Sequence, residues 1–187
     1  VVITRRDPGG LADLLTAVLT QSLTPDAVLL LDRTTAGSPA GSPAGSPTVP
    51  AVAEIVDEAR RTHRVPVTVT TVDPRTPLRT AVHRALVDGP AAGDDDATAR
   101  AAAPPTLAWL LPVGTTPEVG ALDALVDDWR RSPSTGVLGP KHVDVEQPHL
   151  LQGLSIRATR GGRLLPRPAP GEPDQGQYDR LGDVLGV

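Results

Sequence analysis

Polar residues that could take part in chemistry come directly after several apolar segments of the chain. Carboxylates can accept hydrogen bonds from a ribose or a base, and arginine and lysine can hold phosphate oxygens. Ligands of open parallel sheets bind at the carboxyl ends of the strands, so residues that follow strands are the first candidates. We therefore expect one ligand edge that holds Thr4, Arg5, Arg6 and Asp7, then Asp32, Asp73 and residues 112–116, and finally Lys141, His142 and Asp144.

Asp32 is the most informative of these residues because it directly follows the continuous apolar run Ala27–Leu31. A carboxylate there could accept hydrogen bonds from a ribose or a base. The alternative is a cap or turn residue before Thr34 and Thr35. Both interpretations stay open from the sequence.

Other short motifs predict less. The run Asp94–Asp96 falls in a helix-to-strand connection, at the opposite edge of the sheet, so we expect a solvated loop there rather than a metal site. The turn Asp7–Gly10 could offer backbone N–H groups to a phosphate, but a plain turn is the simpler interpretation. The sequence has no Gly-x-Gly-x-x-Gly fingerprint, no P-loop, no Gly-x-Ser-x-Gly elbow and no His-Glu-x-x-His pair.

The elements that must position these residues alternate along the chain. Apolar runs predict strands at Val1–Thr4, Ala27–Leu31, Val65–Val72, Leu107–Leu111 and Gly136–Gly139. Helical stripes at 11–19, 49–59, 78–86 and 119–129 separate them, and Leu154–Arg160 with Arg163–Leu165 predicts a β-hairpin about Gly161 and Gly162. Strands alternating with helices predict an α/β fold with an open, mostly parallel, doubly wound sheet. We expect one domain over residues 1–187, with a low-complexity Ala-Gly-Ser-Pro loop inserted at 36–47.

The composition of the chain indicates which classes of binding partner it disfavours. The 187 residues carry 18 Lys and Arg against 22 Asp and Glu, a net charge of −4 without a basic run, which argues against nucleic acid as a partner. No apolar stretch approaches the roughly 20 residues of a membrane-spanning helix, and no signal sequence opens the chain. We therefore expect a cytoplasmic protein, or the cytoplasmic face of a membrane if the chain is part of a longer one. An apolar start without any Met suggests a fragment.

Several segments together carry a more specific signal. A strand ending in Thr4 leads to a helix ending at Gln21-Ser22 and to a second strand ending in Asp32. Further along come Trp109–Leu111, Pro117, Ala121-Leu122, Gly139-Pro140-Lys141 and the segment Gly171–Asp179. This series resembles family 2 glycosyltransferases, and its later part is similar to their actinobacterial-type branch. Gly171–Asp179, similar to that branch's Gly-Glu-x-Asp-Gln-Gly-Gln segment, is the most specific match.

The resemblance implies a nucleotide-diphospho-sugar transferase fold, the GT-A fold. It also implies a UDP- or dTDP-type sugar donor, a glycan or lipid-linked acceptor of the cell envelope or of polysaccharide biosynthesis, and Mg²⁺ or Mn²⁺ as cofactor. Thr4 and Asp32 match positions that contact the donor nucleotide, and Asp73 adjoins them although the family's usual residues there are not retained. Arg5, Arg6 and Lys141 are the cations that could contact the diphosphate.

The sequence departs from the family at two places. Val113 and Gly114 stand where the family has the acidic pair that holds the metal, and neither offers the oxygen ligand that such a cation needs. We expect the catalytic base and the acceptor-side acidic motif to lie beyond Val187, which would leave the domain incomplete at its C-terminus. No catalytic residue is therefore assigned.

Two hypotheses follow. In the first, the chain is a glycosyltransferase domain that transfers a sugar from a nucleotide-diphosphate donor to an envelope glycan. In the second, it is a catalytically inactive relative with a structural or nucleotide-sensing role in a longer envelope-assembly protein. Val113 and Gly114 discriminate between them, because a catalyst without the acidic pair must carry the charge of the leaving diphosphate by other means.

Overall fold

The computed structural model describes residues 1–5, 10–33, 52–87, 107–132, 134–158, 164–169 and 171–179. The chain divides into two compact units, Val1–Val119 and Gly120–Val187. The predicted insert 36–47, Arg6, Asp7, Asp94–Asp96 and the hairpin turn Gly161-Gly162 lie outside the described residues.

The first unit is built on a four-stranded, all-parallel sheet. Its elements are β1 (Val2–Arg5), α1 (Leu11–Leu19), β2 (Val28–Asp32), α2 (Val52–Thr62), β3 (Val67–Thr71), α3 (Leu78–Val87) and β4 (Leu110–Pro112). The strand order is β3-β2-β1-β4, so β1 pairs with β2 on one side and with β4 on the other. The α/β class and the parallel sheet are thereby confirmed.

Helices cover both faces of this sheet. Successive residues of a strand point to opposite faces, so each strand contributes side chains to both helix layers. Ile3 and Leu30 pack in one cluster with the apolar stripes of α1 and α2. Val2 and Leu31 pack in a second cluster with Ala81 and Ala85 of α3. All four strand residues are at most 1% exposed. Two covered faces are compatible with the doubly wound arrangement that the sequence predicted.

The second unit contains α4 (Ala121–Arg131) and four short strands. β5 (His142–Val143) pairs antiparallel with β6 (Leu151–Gly153), and β7 (Ser155–Ala158) pairs antiparallel with β8 (Leu164–Arg167). The second pair confirms the predicted C-terminal hairpin.

The prediction of a fifth parallel strand at Gly136–Gly139 was wrong. That segment forms no strand, and Val137 within it is 59% exposed. Two glycines and the following Pro140 disfavour pairing, and two apolar residues are too few for a buried strand. Lys141, His142 and Asp144 therefore do not follow a parallel strand and belong to the second unit.

The predicted helix over 119–129 starts later than expected, at Ala121, with Val119 outside it and 62% exposed. Gly120 stands at its N-cap. The predicted strand Leu107–Leu111 is shortened and shifted to β4, which pairs with β1 only from Leu110 to Pro112 and buries only Leu111. Pattern alone could not separate an apolar residue in a strand from one just before it.

Candidate functional site at the carboxyl edge of the sheet

The strand order of the first unit reverses between β1 and β4. The chain passes from β1 to β2 to β3 in one direction and then returns to the other side of β1 to form β4. At such a reversal the connections leave the sheet in opposite directions and open a crevice beyond the carboxyl ends of the strands. The residues after β1 and β4 are thus the expected walls of a ligand site.

A cavity of about 460 Å³ lies at this edge. We call it the carboxyl-edge cavity, and its lining comes from all four strand ends: Thr4, Arg33, Pro74, Arg75, Thr76, Pro77, Leu78, Pro112 and Val113. The volume is within the range of small-molecule sites. Of the residues predicted at the ligand edge, the structure places Thr4, Pro112 and Val113 in this lining.

Thr4 and Val113 form the wall at the reversal. The backbone nitrogen of Val113 donates a 2.9 Å hydrogen bond to the carbonyl oxygen of Thr4. Gly114 follows with φ at +101°, a conformation that favours glycine, and the hydroxyl of Thr115 donates to the carbonyl oxygen of Pro112 at 2.8 Å. These bonds hold the turn after β4 against the end of β1.

Arg33 is the main site residue that sequence analysis missed. Its side chain is buried, with the residue only 5% exposed. Nη2 donates to the carbonyl oxygens of Pro74 at 3.1 Å and Thr76 at 2.5 Å, which ties the end of β2 to the loop after β3. Nε is buried without a hydrogen-bond partner. Arginine is rarely so buried unless it is paired. Its position after a buried strand, beside Asp32, was the signal that could have identified it.

Asp32 and Asp73 lie near the cavity but do not line it. Asp32 is the last residue of β2, is half-buried, and accepts a 2.8 Å hydrogen bond at its backbone carbonyl from the nitrogen of Val72. The carboxylate of Asp73 accepts the backbone N–H of Arg75 at 2.8 Å, and its carbonyl accepts that of Thr76 at 2.9 Å. Asp73 is thus a turn residue that shapes the loop wall of the cavity.

The three predicted cations have different positions. Arg5 ends β1, in register with Asp32, and Arg6 lies outside the described residues. Lys141, in the second unit, contacts Asp174 at 2.7 Å and Asp179 at 2.8 Å. The hydrogen bond to Asp174, followed by that to Asp179, raises the pKa of Lys141, and the same pairing lowers the pKa of Asp174. Two carboxylates within its own unit therefore hold the charge of Lys141.

The residues at the cavity do not fit a divalent metal. Val113 has an alkyl side chain and Gly114 has none, whereas Mg²⁺ and Mn²⁺ take carboxylate or other oxygen ligands. Across the described segments, no three His, Cys, Asp or Glu side chains lie close enough to form a metal site. Among the described residues that line the cavity, no side chain is a carboxylate. None of them therefore supplies the carboxylate that Val113 and Gly114 lack.

The amino end of α1 contacts the same turn. Gly10 is the N-cap with φ at +74° and has no side-chain cap bond, and a Cβ placed on it would lie 3.7 Å from Cγ1 of Val113. The first backbone amides of a helix carry partial positive charge. The turn at Val113 and Gly114 thus has a helix N-terminus beside it.

A second cavity of about 430 Å³ lies between α1 and α2. Its lining includes Glu58, which accepts hydrogen bonds from Arg61 at 2.6 Å and Thr62 at 3.2 Å. These are surface contacts within a single helix, and the described residues that line this groove include no strand end. The carboxyl-edge cavity is therefore the better candidate for a functional site.

Comparison with known protein families, with curated proteins and with solved structures found no match to this chain. Within the segments that the structure describes, no helix is both long enough and apolar enough to cross a membrane.

Proposed function

We propose that the chain is a glycosyltransferase-like domain whose first unit binds a nucleotide-diphosphate sugar in the carboxyl-edge cavity. The observation that carries this proposal is the position of the cavity at the reversal of strand order between β1 and β4. The lining offers apolar surface at Pro77 and Leu78 for a base and a hydroxyl at Thr4 for a ribose or base contact.

In the proposed transfer, the acceptor is a glycan or lipid-linked hydroxyl of the cell envelope. Its oxygen attacks the anomeric carbon while the bond from that carbon to the diphosphate oxygen breaks. The acceptor proton passes to a base, and the nucleoside diphosphate leaves with the bonding electron pair. We assign that base to none of the described residues.

Val113 and Gly114 favour a second candidate function. A domain that binds the nucleotide but lacks the metal pair could sense or hold a nucleotide sugar without turning it over. The two functions share the binding step and differ in the release of UDP from UDP-glucose or UDP-galactose when acceptor-containing membranes are added. Release supports the enzyme, whereas binding without release supports the sensor.

Calorimetric titration with UDP and dTDP tests the shared binding step. Val113→Phe would fill the cavity, and Val119→Phe is the matched control because Val119 is 62% exposed in the same unit and does not line the cavity. We expect Val113→Phe to weaken binding at least tenfold, about 1.4 kcal/mol, and Val119→Phe to leave it unchanged. Absence of binding by the wild-type chain, or equal affinity in both variants, would overturn the proposal.

A further inference from the structure

Among the described residues that line the carboxyl-edge cavity, the charged side chains are those of Arg33 and Arg75, and none of these described residues is acidic. Arg33 forms no ion pair with any described carboxylate, and its two hydrogen bonds go to neutral carbonyl oxygens. A buried guanidinium without an opposite charge is costly, so an anion in the cavity would stabilise it.

The sequence after Arg33 adds no negative charge. The stretch 34–51 contains neither Asp nor Glu. Asp73, in the loop after β3 to which Arg33 is bonded, accepts the backbone N–H of Arg75. A ligand anion would therefore supply the counter-charge that none of the described lining residues provides.

The guanidinium of Arg33 is also fixed in place. Nη2 is held by carbonyl oxygens that lie 41 and 43 residues along the chain, so the planar group cannot turn freely. A guanidinium fixed before binding loses little conformational freedom when it binds phosphate oxygens. The helix N-terminus at Gly10, next to Val113, has the same electrostatic sign.

We propose that this cavity binds the diphosphate of its nucleotide directly, without a divalent metal, with Arg33 as the main contact and Arg75 as a second cation at the rim. The inference rests on the proposed function for the identity of the nucleotide. In this proposal Arg33, which follows β2, supplies the positive charge that holds the diphosphate. In family 2 glycosyltransferases a metal held by an acidic pair supplies that charge.

The test is calorimetry with UDP, uridine and inorganic pyrophosphate, each in EDTA and each with Mn²⁺. In EDTA we expect wild-type protein to bind UDP at least about tenfold more tightly than uridine, the effect of one charge-assisted hydrogen bond or more. Mn²⁺ is expected to change the affinity for UDP less than twofold. Equal affinity for UDP and uridine in EDTA, or a preference for UDP that arises only with Mn²⁺, would overturn the inference.

Variants assign the effect to Arg33. Arg33→Gln should bring the UDP-to-uridine affinity ratio close to one, whereas Arg84→Gln, the same charge change on the exposed surface of α3, should leave it unchanged. Arg33→Lys should keep part of the ratio because it retains the charge. If Arg33→Gln does not fold, the UDP-to-uridine affinity ratio of Arg75→Gln and the comparison of EDTA with Mn²⁺ in the wild type still test metal-free binding of the diphosphate. A ratio unaltered in folded Arg33→Gln would contradict the assignment.

The probes separate this inference from the proposed function. Pyrophosphate bound in EDTA and weakened by Arg33→Gln, together with no binding of UDP or uridine, would sustain the anion site and reject the nucleotide. Uridine and UDP bound equally in EDTA would sustain a nucleoside site and reject the anion site.

Discussion

The backbone nitrogen of Val113 lies 2.9 Å from the carbonyl oxygen of Thr4, to which it donates a hydrogen bond. This bond joins the turn after β4 to the end of β1 at the point where the strand order reverses. It places the alkyl side chain of Val113 in the lining of the candidate site, which also contains the buried Arg33. A site with this composition suits an anion rather than a cation.

The sheet core should be sensitive to truncation. Leu30 is fully buried in β2, so Leu30→Ala should lower the free energy of unfolding by about 2–5 kcal/mol through lost burial and the cavity left behind. Leu110→Ala is the matched control, because Leu110 of β4 is 52% exposed and its truncation should cost less than about 1 kcal/mol. Urea unfolding followed by Trp109 fluorescence in a Trp129→Phe background reports on the first unit. Equal losses at the two positions would contradict the described packing.

The left-handed backbone at Gly10 gives a second prediction. Because φ is +74° there, Gly10→Ala should destabilise the first unit by about 1–2 kcal/mol. Gly10→Asn is the control, since Asn tolerates this conformation and its side chain can cap the helix. In the same fluorescence-monitored unfolding, the free energy of unfolding of Gly10→Asn should be close to that of the wild type. Equal stability of the Gly10→Ala and Gly10→Asn variants would contradict the described N-cap geometry.

Thr70 offers a stabilising substitution. Its Oγ1 is buried without a hydrogen-bond partner in β3, so Thr70→Val should remove a desolvation penalty at nearly constant shape and raise the free energy of unfolding by about 1 kcal/mol. Thr68→Val, two residues earlier on the same face of the strand, controls for the β-propensity of valine. A gain at position 70 no larger than the gain at 68 would show that the Thr70 hydroxyl is satisfied in solution.

The second unit should show a defined pH dependence around Lys141. The hydrogen bond from Lys141, followed by the backbone N–H of Gly176, lowers the pKa of Asp174 below its ordinary value of 3.8. The ionised Asp174 therefore stabilises the second unit fully above pH 3.8, and this stabilisation is lost as the pH falls through the lowered pKa. The raised pKa of Lys141 acts at alkaline pH. The charged Lys141 stabilises the unit fully below pH 10.5, the ordinary pKa of lysine, and this stabilisation is lost as the pH rises through the raised pKa.

Tyr178 provides the readout, because it is the single tyrosine of the chain and its hydroxyl donates to Glu172 at 2.8 Å in the same loop. Its ring NMR signals should hold their dispersion between these limits and lose it outside them. Asp174→Asn should remove most of the acid-side change, whereas Asp123→Asn on α4 should not. Identical acid profiles in the two variants would show that the pair with Lys141 does not stabilise the loop.

The sequence predicted well those features that depend on local periodicity. The apolar stripe of α1 is buried at each of its predicted positions, and the run before Asp32 forms a strand covered on both faces. Sequence-based prediction failed where contacts between distant parts of the chain determine the environment of a residue. Burial of Arg33 depends on carbonyl groups more than 40 residues away, and Lys141 is held by Asp179, 38 residues further along. The segment Gly136–Gly139 has a strand-like apolar pair but belongs to none of the sheets that the described residues form.

Hydrogen–deuterium exchange of the wild-type chain in EDTA, with and without UDP, tests most directly whether the carboxyl-edge cavity is a nucleotide site. The account predicts that UDP slows exchange in peptides covering 72–78 and 110–115, the loops after β3 and β4, and leaves α2 unchanged. No protection at saturating UDP, or protection confined to residues of the groove between α1 and α2, would contradict it.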